Sequence, residues 1–203
     1  MALTRINNNS LSSVTAAGLP TLTADKMPEG AVIQTKYTTK KSVQTISQGS
    51  NDYLDGLTLT LTPASSSSDF YIQFAVAHAS SLAGSSARMF SIYRKIGTGS
   101  FTLLTGGNPD TQSSQSGYLI KTSGVPGLSD LSSFNGDHGM GVDTGFYLDS
   151  PSTTSDVTYR IYLKQQSNAN TLYVNKNNSD ANSSSDWESR SSSHMSVMEI
   201  AGA

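Results

Sequence analysis

The groups able to do covalent or metal chemistry are few and scattered. There are three histidines, fifteen acidic residues and no cysteine. A chain without cysteine has no disulfide framework, no thiolate zinc site and no thiol nucleophile. His78, His138 and His194 are far apart in sequence and match no metal-binding histidine spacing. The densest cluster is the glycine-rich run from Asn135 to Asp143, which carries Asp137, His138 and Asp143. Carboxylate oxygens with an imidazole nitrogen suit a metal ion, but the run lacks the alternating acids of a calcium loop. Glycine beside Asn or Asp is ordinary turn chemistry. Serines are abundant, yet none stands in a Gly-x-Ser-x-Gly elbow. Gly97-Thr98-Gly99 is too short for a phosphate cradle and follows no βαβ pattern. Two carboxylates from distant loops could converge for glycoside hydrolysis, but fifteen acids make such a pairing uninformative. The expectation is no catalytic residue, no metal, no cofactor and no enzyme.

Binding chemistry is better represented. Tyr71, Tyr93, Tyr162 and Tyr173 fall out of phase with the apolar face of their segments. Such rings cover the second face of a sandwich, or form an exposed Tyr/Thr surface for subunit contact or sugar stacking. A sheet apolar on both faces must bury both, which favours subunit contact. Trp187, in the polar stretch Ser185-Asp186-Trp187-Glu188, is a lid over the core or a ligand or partner contact, and His138 is the other candidate contact.

The elements that must position these residues are strands. Only 14% of the 203 residues are charged, against about 25% in an ordinary globular chain. Ser, Thr and Asn, roughly a third of the chain, suit strand surfaces and turns. Leu57, Leu59 and Leu61 alternate with threonines up to Pro63; Phe70, Ile72, Phe74 and Val76 share one face; Val157, Tyr159, Ile161 and Leu163 repeat the pattern. Further strands are expected at Ala31 to Tyr37, Val43 to Ile46, Met89 to Tyr93, Phe101 to Leu104, Tyr118 to Lys121, Gly145 to Leu148, Thr171 to Val174 and His194 to Ile200. Gly97-Thr98-Gly99 closes a hairpin between Met89–Tyr93 and Phe101–Leu104. The only stretch with any helical character is a small, Ser-rich one around Ser80 to Arg88. Eight to ten short strands with turn signals between them predict an all-β, antiparallel, jelly-roll-like β-sandwich over 31–203. A long loop-rich insert is expected near 106–139.

Residues 1–30 are expected to form an extended amino-terminal arm with no sustained period. Leu3, Ile6, Leu11, Val14 and Leu19 are placed to fill shallow grooves, either on the arm's own domain or on a partner. The net charge of −2 offers no footprint for nucleic acid, and no apolar run is long enough to insert in a membrane. The first residues lack the apolar core of a signal peptide, so the sequons at Asn8, Asn177 and Asn182 are expected to be accidental.

Several segments resemble small virion proteins of tailed phages, of the kind common in marine and cyanobacterial phages and labelled tail-fibre or structural proteins. They are Leu3-Thr4-Arg5-Ile6-Asn7, the junction Leu22 to Gln34, Gly56 to Pro63 with its serine tract, Tyr147 to Ser155 leading into Val157-Thr158-Tyr159, and the ending Met198-Glu199-Ile200-Ala201. The resemblance covers nearly the whole chain, is weakest over 106–139, and carries no catalytic residue. It implies a virion component assembled in the host cytoplasm, a homotrimer whose arm docks on other virion proteins while the sandwich faces outward towards a host glycan or protein. A tail-fibre or appendage role in host attachment is the leading expectation. A capsid decoration or head-fibre protein is the alternative, and a polysaccharide-degrading tailspike the third, disfavoured by size.

Overall fold

A computed structural model describes residues 27–47, 49–80, 87–108, 117–123, 139–165, 171–182, 184 and 190–202. The arm residues Leu3, Ile6, Leu11, Val14 and Leu19, together with His138, Trp187 and most of the expected insert, lie outside them. The described residues contain eleven strands, one at each of the segments expected from the sequence. They are β1 (Val32–Lys40), β2 (Gln44–Ile46), β3 (Asn51–Leu61), β4 (Asp69–Ser80), β5 (Ala87–Ile96), β6 (Thr102–Leu103), β7 (Ile120–Ser123), β8 (Gly141–Asp149), β9 (Val157–Gln165), β10 (Leu172–Val174) and β11 (Ser193–Ile200).

These form an antiparallel, jelly-roll-like β-sandwich. The first sheet runs β1-β11-β4-β10-β2, with β8 on the other side of β4; the second runs β3-β9-β5-β6, with β7 also on β5. The period-2 faces meet between the sheets, where Phe70, Ile72, Phe74 and Val76 oppose Leu57, Leu61, Ile92 and Ile161. Ring pairs tie the layers together: Phe74 to Phe90 at 5.6 Å and Phe70 to Tyr159 at 6.0 Å. Burial on this scale supports a stable domain without metal or disulfide.

Three elements depart from expectation for identifiable reasons. β3 begins at Asn51, not Leu57, because a bulge between Tyr53 and Thr58 hides the continuity. Gly56 within it has φ +77, a left-handed geometry that glycine adopts without steric cost. Ala87 and Arg88 open β5, and Ser80 closes β4, so the ends of the weakly helical stretch are strand. The hairpin of β5 with β6 forms as expected, with Tyr93 opposite Leu103.

The two long sides of the sandwich differ. Along one, β1 is fastened to β3 by side chains reaching main-chain oxygens. Gln34 Nε2 donates to Thr62 O, Lys36 Nζ to Thr60 O, and Thr38 Oγ1 to Gly56 O, at 2.8, 2.8 and 3.0 Å. Along the other, β8 has β4 as its one strand neighbour among the described residues.

Candidate interaction faces

Buried polar groups set the geometry of that free side. β8 is mounted inside out: Asp143, Gly145 and Asp149 are buried, whereas Val142, Phe146 and Leu148 are 63%, 67% and 55% exposed. Asp149 explains the phase. Its carboxylate accepts two bonds from Arg94 Nη1 on β5, at 2.8 and 3.0 Å, and one from the Tyr159 hydroxyl on β9 at 2.7 Å. Burial, with the Asp149 charge beside it, pushes the Tyr159 hydroxyl pKa far up, so it stays a donor. At the other end of the strand Asp143 Oδ2 lies 2.8 Å from His78 Nε2. Burial holds the His78 pKa below 6.5 against the opposing pull of Asp143, with Arg88 adding to the depression. The neutral imidazole therefore donates from Nε2. Between them, a Cβ on Gly145 would come within 2.4 Å of the Phe74 ring, so the glycine lets that ring lie across the strand.

Asp143 is thus a hydrogen-bond partner of His78, while Asp137 and His138, the rest of the sequence cluster, lie outside the described residues. Among the described residues no group of three or more His, Asp or Glu side chains could hold a metal ion. His78 is 1% exposed and Asp143 7%, so the pair is buried. His194 lies on an outer face, its Nδ1 3.1 Å from Thr39 Oγ1 and its Nε2 3.1 Å from Ser192 Oγ.

The inversion of β8 completes an outer face on the first sheet. Three cross-strand rows run over β1, β11, β4 and β8: Thr39-His194-Ala75-Thr144, Tyr37-Ser196-Gln73-Phe146 and Thr35-Met198-Tyr71-Leu148. No Asp, Glu, Lys or Arg occurs in them. Tyr71 sits 6.2 Å from Phe146, ring to ring. An open depression of about 430 Å³ lies between Tyr37, Gln73, Ala75, Phe146, His194 and Ser196.

The outer face of the second sheet has a different character. Its rows over β3, β9 and β5 are Thr60-Thr158-Lys95, Thr58-Arg160-Tyr93, Tyr53-Tyr162-Ser91 and Asn51-Lys164-Met89. Tyr93 and Tyr162 approach to 4.0 Å and Tyr53 and Tyr162 to 6.1 Å, centroid to centroid. The Arg160 guanidinium is sandwiched, 4.6 Å from the Tyr53 centroid and 4.2 Å from that of Phe101.

No family model matches the sequence. No curated protein matches it either. Among solved structures, a chain from the structure of infectious bursal disease virus Gx strain is similar with a TM-score of 0.35 and 7% identity, over 85% of this chain and 39% of that one. The present chain therefore spans well under half the length of that neighbour.

The four tyrosines singled out by phase are not brought together. Tyr71 lies on the uncharged face, and Tyr93 and Tyr162 on the cationic one. Tyr173 lies on β10, with Lys176 Nζ 4.7 Å from its ring centroid. Sequence reasoning missed Val142, Phe146, Leu148, Tyr53, Phe101 and Arg160. For β8 the sequence offers two phases, Asp143, Gly145, Tyr147 and Asp149 against Val142, Thr144, Phe146 and Leu148, and the strand alone does not say which is buried.

Proposed function

We propose that this chain is a phage virion structural protein, a homotrimeric tail-fibre or appendage protein that docks by its amino-terminal arm and contributes to host attachment. It works by binding and assembly, without catalysis or a cofactor. The observation that carries the assembly part is the inverted β8. Among the described residues β8 leaves one edge unpaired, with three large apolar side chains more than half exposed beside rows on its face that hold no Asp, Glu, Lys or Arg, and such an edge is a liability for a monomer. Contact between copies across that face removes it, and places Tyr71 and Tyr37 where interfaces favour aromatic residues. The virion part is supported by the phage-like segments at both ends of the chain. The arm adds a longer spacing of apolar residues in the sequence. Leu3, Leu11 and Leu19, and likewise Ile6, Val14 and Leu22, each recur after eight residues. A repeated pair of apolar residues suits repeated, equivalent grooves on a particle.

Sedimentation of the full chain is expected to give three times the 21.4 kDa protomer mass. A monomer at micromolar concentration would overturn the assembly reading. Cryo-microscopy of the particle is expected to place its density at the tail; density on the shell lattice would make it a decoration protein instead. Removing residues 1–30 is expected to leave a folded sandwich that no longer joins the particle, and normal incorporation would refute the anchor.

A further inference from the structure

We propose that the outer face of the second sheet binds an acidic polysaccharide, a chain of sugar rings carrying carboxylate or sulfate groups. This deepens the host-attachment reading by naming a site and a ligand class. The face combines what such a polymer needs. Tyr53, 43% exposed, with Tyr93, Tyr162 and Phe101, offers aromatic surface for the C–H faces of sugar rings. Lys95, Arg160 and Lys164 place three cations among those rings, and no acidic side chain occurs in the four rows. None of the three has a carboxylate partner among the described residues. That is notable in a protein whose acids outnumber its bases, fifteen to thirteen.

Arg160 is the centre of the site. It lies between the Tyr53 and Phe101 rings, and its Nε is buried without a hydrogen-bond acceptor. Its desolvation is therefore already met, and an anion arriving at its outer nitrogens gains a charge-assisted, bidentate bond. Lys95 Nζ lies 5.4 Å from the Phe101 centroid, and Lys164 Nζ donates to the Tyr118 hydroxyl at 3.1 Å. Thr60 and Thr158, whose hydroxyls are 2.8 Å apart, border the same rows and suit neutral sugar hydroxyls.

The test is calorimetric titration of the full-length protein with four probes: a hexuronate hexasaccharide, a sulfated hexasaccharide, neutral maltohexaose and oligo-dT of matched charge. Saturable binding of an acidic hexasaccharide is expected, at least about tenfold tighter than maltohexaose and weakened by salt. The half-buried pair Lys95→Gln with Lys164→Gln is expected to weaken it by about fivefold or more in a protein that stays folded and melts cooperatively. Arg160→Gln should weaken it further. Absence of saturable binding, equal affinity for maltohexaose, tighter binding of oligo-dT, or an unchanged affinity in the lysine pair would each overturn the proposal. Neither particle nor trimer is needed for this measurement. Its failure leaves the virion reading standing, and failure of incorporation leaves the binding result standing.

Discussion

The two outer faces of one sandwich use the same alternating pattern to opposite ends. The first sheet shows solvent three rows of Thr, Ser, Gln, Ala and apolar residues with no formal charge. The second shows, over four rows, three cations set among aromatic rings and no acid, with Asp156 at the border beside Thr62. Low overall charge is therefore not spread evenly: three adjoining rows of one face hold no Asp, Glu, Lys or Arg, and four rows of the other concentrate a single sign. An uncharged apolar surface gains from excluding water and is suited to a permanent contact. Cations held against rings retain an unsatisfied field and are suited to a soluble anion. The difference also lies in how each face is held. The second follows the strand phase of β9 and β5 with one bulge in β3, whereas the first depends on one strand, β8, kept inside out by buried polar bonds.

The largest effect is expected where both faces depend on one group. Asp149 joins β8 to β5 and β9 through Arg94 and Tyr159. Asp149→Ala strands a partly buried guanidinium and a buried phenol, at a cost of about 3–5 kcal/mol. Urea denaturation should show it as a large drop in midpoint, with Asp149→Asn intermediate. A loss below about 1 kcal/mol would mean that packing, not this clasp, fixes the phase of β8.

A smaller and more selective break comes from putting charge on the uncharged face. Phe146→Asp changes a residue that is 67% exposed, so the protomer should stay folded. Association is expected to weaken by about tenfold or more in sedimentation, because the new carboxylate must be desolvated on contact. Thr60→Asp, on the exposed part of the other face, is the matched control and should leave assembly intact. Equal effects from the two substitutions would erase the functional distinction between the faces.

Much of this was legible in the sequence and one decisive part was not. Alternation at Leu57–Leu61, Phe70–Val76 and Val157–Leu163 fixed the strands, their class and their inner faces, because apolar and buried coincide there. In β8 they do not coincide. A period of two gives two phases and no absolute assignment, and Phe146 with Leu148 looks like a core face until Asp143 and Asp149 find His78 and Arg94. Those partners lie far away in sequence, and one strand cannot announce them. The cationic face was half legible: Tyr93 and Tyr162 stood out by phase. Arg160 joins them through its pairing with Tyr93, and the register shift at the β3 bulge decides where Tyr53 falls beside it. Trp187 and His138, chosen as contacts on residue type alone, lie outside the described residues and outside this contrast.

The smallest expected effect separates the faces by pH. His78 on β4 and Asp143 on β8 lie beneath the uncharged face, in the sheet that carries it. Burial lowers the His78 pKa from 6.5 in the folded protein, so between the two values the unfolded chain binds a proton that the folded one does not. Stability from this group is complete above about pH 6.5 and is lost as pH falls through the lowered folded value. Thermal melts at pH 7.5 and 5.5 should show wild type losing more Tm than His78→Gln, which has no such proton to take up. Hydrogen exchange at the lower pH should rise first in the β8 amides and last in β9, which no buried histidine adjoins among the described residues. Equal pH slopes in wild type and variant would remove His78 as the cause. Exchange rising together in both sheets would show that the sandwich responds as one unit and that the inverted edge has no separate weakness.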